Sequence, residues 1–308
     1  MAGAGSDAQR VAVTGADGFI GRALVARLRE EGRDVRAITR ATHGDLAAIE
    51  PRQLASSLRG VDMVFHLAAR AHVMDDRAAD PDAAFRTANV VATGCVARAA
   101  LDAGVRRFVM ASTAKVNGES TQPGRPFRVD DPAAPQDAYA RSKWDAEKLL
   151  AGIAENTLMS AVVLRLPLVY GPGVRGNFRK LWDAVAQRRW LPFAAIDNRR
   201  SLVGLGNLVD AFIAAMPAPS GTYFVADAES VSTPQLVRAI AEAQHVEANL
   251  AYVPTPLLRL AGVLTGRRAA IERLASSLEV DVRSFCSTSG WQPRHTLADE
   301  LARLSEPA

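Results

Sequence analysis

The chain has 308 residues, 48% of them hydrophobic, which supports a large buried core and excludes a disordered chain. A net charge of +4 and a pI near 9.4 come mostly from arginines spread along the sequence. No basic run interleaved with aromatics occurs, so the expected partner is an anionic small molecule and not nucleic acid.

In chain order, "RVAVTG" reads as a buried strand and "GRALVARLREEG" as a helix closed by Gly32. Strands follow at "DVRAITR", "VDMVFHLAA", "RRFVMAS" and "SAVVLRLPLVYG". Helical patterns lie between them, including "DAAFRTANVVATGCVARAALDAG" and the stretch around "DAYARSKWDAE". Strand and helix alternating in this way predict an α/β fold, a doubly wound parallel (Rossmann) sheet whose ligands bind beyond the carboxyl ends of the strands. The expected dinucleotide-binding domain covers 1–171, with a return at about 200–230 through "RRSLVGLGNLVDAFIAAM" and "GTYFVAD". A smaller, discontinuous substrate-binding lobe takes 172–199 and 231–308. The apolar stretch "PLLRLAGVLTG" is broken by Arg259 and too short to span a bilayer, and reads as a core or cap helix. "MAGAGSDAQR" lacks the apolar run of a signal peptide. Cys95 and Cys286 stand in no metal or redox motif, and five histidines show no ligand spacing. A cytoplasmic protein without a metal site is expected.

The first strand runs into "TGADGFIG", with Gly15, Gly18 and Gly21 at the turn into a helix. Glycine permits the tight turn and close approach of a diphosphate, and the helix N-terminus supplies N–H donors. NAD sites usually place an acid at the end of the second strand; here Thr39 and Arg40 stand there. An arginine can bind a 2′-phosphate, which leans toward NADP. NAD remains open if Arg40 is solvated or stacks on adenine. Asp45 fits either a contact to the adenine amine or a surface turn.

Tyr139 precedes Lys143 by one helical turn, so the two share a face. An ammonium about 5 Å from a phenol, at an effective dielectric of about 20, is worth roughly 3 kcal/mol. That would carry the phenol from about 10 toward about 8, a useful range for proton transfer. The strand ending "STAKVNG" supplies Ser112 and Thr113, and Thr113 can hold a substrate oxygen in line with the phenol. Glycine turn, hydroxyl at a strand end and Tyr-x-x-x-Lys, in that order, form a set far more specific than any one member.

With these stretches, and with "FHLAA", "YARSK", "LRLPLVYGPG" and "SGWQP", the chain resembles the extended short-chain dehydrogenase/reductases, the NAD-dependent epimerase/dehydratase family. The resemblance implies that Thr113, Tyr139 and Lys143 are catalytic. It implies that Gly15, Gly18, Phe19, Ile20, Leu67, Ala68, Ala69 and Pro167 line the cofactor, with Tyr139 and Lys143 touching it. Asn177 and Arg200 would approach a substrate diphosphate, Leu191 and Phe193 would flank its base, and Arg267 and Arg268 would add a second phosphate contact. Lys115 and Asn117 depart from the family pattern in the sugar-facing loop.

By resemblance to bacterial O-antigen enzymes, the implied activity is hydride transfer at C4 of a UDP-hexose or UDP-N-acetylhexosamine in surface polysaccharide synthesis. Two versions stand: a 4-ketoreductase of the UDP-N-acetylquinovosamine type, or a UDP-sugar 4-epimerase that retains NAD. Ala114 and Lys115 follow Thr113 where a dehydratase would carry an acid pair, which disfavours 4,6-dehydration. Tyr139 and Lys143 are both present, which argues against a non-catalytic NADP-binding sensor. The alanine-rich "VVATGCVARAA" helix and the Tyr139 helix would pair in a homodimer interface or pack internally.

Overall fold

A computed structural model describes residues 9–71, 80–266 and 268–305, and the backbone alone for residues 268 and 269. The expected phosphate contacts from the side chains of Arg267 and Arg268 lie outside what is described. The chain clusters into two compact units: residues 1–116, 135–165 and 212–223, and residues 117–134, 166–211 and 224–308. The span read as one dinucleotide domain therefore contributes residues 117–134 and 166–171 to the second unit.

The strands are β1 (Arg10–Thr14), β2 (Asp34–Ile38), β3 (Met63–His66), β4 (Arg107–Thr113), β5 (Ser160–Leu166), β6 (Leu168–Tyr170), β7 (Leu202–Gly204) and β8 (Gly221–Phe224). The helices of the first two-thirds of the chain are α1 (Phe19–Glu30), α2 (Arg40–His43), α3 (Pro51–Ser57), α4 (Pro81–Phe85), α5 (Ala92–Asp102), α6 (Ala138–Ala154), α7 (Gly176–Ala186) and α8 (Leu205–Ala214). α9 (Thr233–Ala243), α10 (Thr255–Leu264), α11 (Arg268–Ala275), α12 (Arg283–Ser289) and α13 (Leu297–Ser305) complete the chain.

The first unit is built on a six-stranded sheet of order β2-β1-β3-β4-β5-β8, as the alternation of elements predicts. β1 pairs in parallel with β2 and β3, and β3 with β4, in a register that sets Thr14 beside Ile38 and His66. Val11, Ala12 and Val13 have no exposed surface, the continuous apolar run of a strand covered on both faces. Parallel pairing brings the carboxyl ends of β1, β3 and β4 to one edge, where the motif residues Gly15, Leu67–Ala69 and Thr113 follow or end the strands.

Helices cover the sheet through small side chains. Val96, Ala97, Ala99 and Ala100 of α5 pack in one core with Ala146 and Leu150 of α6. A Cβ on Gly94 would come within 2.8 Å of Leu149. The single long helix expected over residues 82–104 is instead α4, a π-helical stretch over Arg86–Val91, and α5.

The stretch "LRLPLVYG" is not one strand. Pro167 has no N–H to continue a ladder, and the chain breaks there into β5 and β6. β6 then pairs in parallel with β7, Leu168 opposite Leu202. Of the expected return to the main sheet, "GTYF" joins it as β8, whereas "LVG" pairs with β6. The core-or-cap reading of α10 also changes: Leu258 is buried, but Leu257, Leu260, Val263 and Leu264 are each more than half exposed. Among the described residues no helix is long and apolar enough to cross a membrane.

Candidate active site

The glycine turn is set by contacts that a side chain would break. Gly15 has φ of +65°, and a Cβ there would lie 2.8 Å from the Ala68 amide nitrogen. A Cβ on Gly21 would lie 2.0 Å from the Gly15 carbonyl oxygen. The Gly18 N–H closes the turn onto that same carbonyl at 2.9 Å. Gly18 caps α1 without any side-chain hydrogen bond to the first-turn N–H groups. A twelve-residue helix thus presents free donors above a loop that only backbone can approach, which fits the diphosphate of a dinucleotide. Gly21→Ala is expected to lower dinucleotide affinity by at least about tenfold, measured by fluorescence titration, because backbone and not a flexible side chain must give way.

A hollow of about 380 Å³ opens beside this turn, lined by Ala16, Asp17, Arg22, Val25, Ala26, Arg29, Ala37 and Thr39. Thr39 caps α2 in a reciprocal box with Thr42. Arg40, the first residue of α2, is exposed and not part of that lining. The arginines that line the hollow are Arg22, whose Nη1 donates to the Asp17 carbonyl at 2.6 Å, and Arg29. Asp45 accepts from the Ala47 N–H at 3.0 Å, the geometry of a surface turn.

The loop after β3 is held by a hydrogen-bond chain of defined direction. The Thr93 hydroxyl donates to the Asn89 carbonyl at 2.6 Å. It therefore accepts from His66 Nε2 at 3.0 Å, which leaves Nδ1 to accept from the Thr14 hydroxyl at 2.8 Å. Thr14 in turn accepts from the Ala68 N–H at 3.2 Å. His66 is 1% exposed, and burial, with the charge of Lys143 adding to it, holds its imidazole down to about 3 and neutral. Asn89, placed by the π-helical stretch, accepts from the Arg70 N–H at 2.7 Å. Its amide donates to the Arg70 carbonyl at 3.1 Å and to Ser142 Oγ at 2.8 Å. Neither His66 nor Asn89 was singled out from the sequence; a polar residue inside an apolar strand or helix face was the available signal.

Thr113 ends β4 and is 7% exposed. Its side chain lies close enough to the phenol of Tyr139 to oppose the rise of that group, and its hydroxyl accepts from the Lys115 N–H at 3.3 Å. Asp137 caps α6 through the Ala140 N–H at 2.7 Å and pairs with Lys115 at 2.8 Å. The Tyr139 ring packs on Phe85, 6.0 Å between centroids. Lys143, one turn along α6, is 2% exposed.

The expected acidification of Tyr139 by Lys143 is not what the fold produces. Burial, then the charge of Asp137, pushes the phenol up to about 12, with Thr113 opposing. Burial brings the Lys143 ammonium down to about 8, and Glu147 opposes that fall. Dehydration outweighs the pairwise attraction estimated at surface-like dielectric. The resting site pairs a neutral phenol with an ammonium close to its titration point.

Pro167, Asn177, Leu191, Phe193 and Arg200 belong to the second unit. Leu191 is buried and bridges to Leu250, and Phe193 is partly exposed. Asn177 is exposed in the first turn of α7. Arg200 is not a solvated side chain: Nη1 donates to the carbonyls of Arg273 at 2.7 Å and Ser276 at 3.0 Å. Its neighbour Arg199 pairs with Glu279 at 3.0 Å. Asn117 is buried, its amide donating to the Asp131 carbonyl at 3.1 Å and the Arg128 carbonyl at 3.4 Å.

Residues 11–226 match the NAD dependent epimerase/dehydratase family. The chain is 37% identical to a UDP-glucose 4-epimerase of Vibrio cholerae over 311 aligned positions, 96% of this chain and 94% of that one. It is 25% identical to an N-acetyl-alpha-D-glucosaminyl-diphospho-ditrans,octacis-undecaprenol 4-epimerase of Escherichia coli O157:H7, over 95% and 93% of the two chains. Among solved structures, MoeE5 in complex with UDP-glucuronic acid and NAD aligns with a TM-score of 0.76 at 27% identity, over 96% and 97% of the chains. A glycine turn at the start of α1, a strand-end threonine beside a tyrosine and a buried lysine one turn on thus accompany a match over most of the chain: it is an enzyme and belongs to the NAD dependent epimerase/dehydratase family, the extended short-chain dehydrogenase/reductases.

Proposed function

We propose that the enzyme acts at C4 of a UDP-hexose or UDP-N-acetylhexosamine as a 4-epimerase, in surface polysaccharide synthesis. The observation that carries this reading is the convergence of Thr113, at the end of β4, with Tyr139 and the buried Lys143, one turn apart on α6. The Vibrio cholerae relative supports epimerisation, and the lipid-linked-sugar 4-epimerase of E. coli O157:H7 supports the polysaccharide context.

Gly15, Gly18 and the N-terminus of α1 would hold the dinucleotide, with Phe19, Ile20, Leu67, Ala68, Ala69 and Pro167 lining it. Bound there, the dinucleotide supplies the acceptor and donor for the hydrogen at C4. Thr113 holds the C4 oxygen, and Tyr139 takes its proton on oxidation and returns it on reduction. Lys143 orients the nicotinamide ribose and stabilises the phenolate while the proton is away. Asn177 and Arg200 would face the substrate diphosphate, and Leu191 and Phe193 its base.

A second reading, a 4-ketoreductase using NADPH, is favoured by one observation: the residue after β2 is Thr39 and not a carboxylate, beside a hollow lined by Arg22 and Arg29. Guanidinium groups there suit a 2′-phosphate. Incubation with UDP-GlcNAc or UDP-glucose without added cofactor separates the two. Conversion to the C4 epimer, with NAD co-purifying, supports the epimerase. NADPH oxidation by a UDP-4-keto-6-deoxy-hexosamine, with no epimer formed, moves the assignment to the reductase. Neither reaction in the presence of both dinucleotides would overturn the proposal.

A further inference from the structure

A buried ionic cluster lies behind the tyrosine and lysine and is not needed for the chemistry just described. Glu147, one turn beyond Lys143 on α6, is 4% exposed, and Arg165 of β5 is 3% exposed. Arg165 Nη2 donates to Glu147 Oε2 at 2.7 Å, and Nε donates to both carboxylate oxygens at 3.2 Å. Ser112 of β4, the residue before Thr113 and itself buried, donates its hydroxyl to Glu147 Oε1. One carboxylate therefore joins three elements: the strand that carries Thr113, the helix that carries Tyr139 and Lys143, and β5.

We infer that Glu147 is a positioning residue, which fixes the end of β4 against α6 and holds the Lys143 ammonium in its charged form within the apolar interior. The inference rests on the reading that gives Lys143 a role in turnover. Arg165 is paired with the carboxylate at 2.7 Å, and Lys143 stands one turn from Glu147 on the same helix, both buried, so that the one negative charge also favours the ammonium. A buried ammonium with no neighbouring anion would shed its proton to escape dehydration. Arg165 alone would leave the carboxylate neutralised, and Ser112 completes its hydrogen bonding so that the charge can stay buried.

The groups facing Lys143 set the sign of each perturbation. From β3 comes His66, neutral and lowered further by the lysine's charge. From α6 itself comes the Glu147 carboxylate, to which Ser112 of β4 donates. From β5 comes Arg165, acting across Glu147. Glu147 opposes the fall of Lys143 to about 8. Removing the carboxylate charge must therefore lower the lysine's titration midpoint. Removing the Arg165 charge must raise it, since the remaining carboxylate then serves Lys143 alone.

The opposite signs provide the test. The chain has four lysines, Lys115, Lys143, Lys148 and Lys180, so the 13Cε resonances of labelled lysine can be followed with pH, and Lys143→Arg assigns the one of interest. Glu147→Gln, which preserves shape, is expected to move the Lys143 midpoint down by about one pH unit, and Arg165→Gln to move it up. The alkaline limb of turnover should shift with each. A merely structural role would shift both variants the same way or neither, and either result overturns the inference. If one variant fails to fold, the sign of the other still decides. The titration needs neither cofactor nor sugar, so absence of UDP-sugar turnover would sink the proposed function and leave this inference standing.

Discussion

Tyr139→Phe is expected to lower the rate of sugar conversion by about a thousandfold while dinucleotide affinity stays within about threefold of the parent. The size follows from losing a positioned acid–base group, typically worth about 10²–10⁴ in rate. Binding survives because the groups that would hold the dinucleotide lie elsewhere: the glycine turn with its backbone contact to Ala68, the free N–H groups of α1, and Lys143. The ring keeps its seat, since its contact with Phe85 is aromatic and does not involve the hydroxyl. Thr113 keeps its bond from the Lys115 N–H and loses only the phenol. Turnover measured by chromatographic separation of the sugar nucleotides, beside a fluorescence titration of dinucleotide, checks both halves. Retention of more than a tenth of the parent rate would remove Tyr139 from the proton-transfer step. Equal loss of binding and turnover would make it a structural residue.

The same substitution clarifies how the phenol operates. With Tyr139 raised to about 12 and Lys143 lowered to about 8, the resting pair at neutral pH is a proton donor beside a cation. It is ready to protonate a carbonyl oxygen at C4. To act in the oxidising direction the phenol must be acidified by charge that arrives with the ligands, and Lys143 must still carry its proton. Lys143 loses that proton as pH rises through about 8, so activity in both directions declines on the alkaline side.

The glycine turn, the strand-end hydroxyl and the tyrosine helix were all legible in the sequence, because each is a local pattern with a fixed spacing. Gly15, Gly18 and Gly21 fall within one eight-residue motif, where Gly18 and Gly21 meet the Gly15 carbonyl, and Tyr139 and Lys143 are set one helical turn apart. The sheet was legible for a related reason: β1 and β3 are buried on both faces and read as unbroken apolar runs. What spacing cannot convey is the dielectric around a pair. The attraction expected between Lys143 and Tyr139 is that of two partly solvated groups, whereas the fold buries Lys143 outright and dehydrates the phenol of a partly exposed Tyr139, which reverses the outcome. Nor can spacing reveal partners distant in sequence. Ser112, Glu147 and Arg165 meet only when β4, α6 and β5 assemble. Asn89 reaches the loop after β3 only through the π-helical stretch, which no residue between Arg86 and Val91 announces. Pro167 did carry a legible signal, a strand interrupted at a residue without an N–H, but the apolar residues on either side masked it.

Acid is expected to destabilise the protein through His66, with a sign that follows from its neutrality. In the unfolded chain the imidazole titrates near 6.5; in the fold it does so only at about 3. Between these values the unfolded state binds one more proton than the folded state, so stability falls as pH falls across that window. The slope is about 1.4 kcal/mol per pH unit, or about 2 kcal/mol between pH 6.5 and pH 5. A doubly protonated ring would aim an N–H at the Thr14 hydroxyl, which could accept it beside the Ala68 N–H but would lose the acceptor for its own hydrogen. Lys143 repels the added charge from the other side. Other buried groups also titrate: Asp227 and Glu300 are raised by burial and contribute with the opposite sign on the acid side. The contribution of His66 is therefore read as a difference. Urea unfolding at pH 6.5 and pH 5 should show the parent losing about 2 kcal/mol more than His66→Gln over the same interval, whatever the variant's stability at either pH. Equal losses would mean that the imidazole is charged within the fold, with Nδ1–H donating to the Thr14 hydroxyl in place of accepting from it.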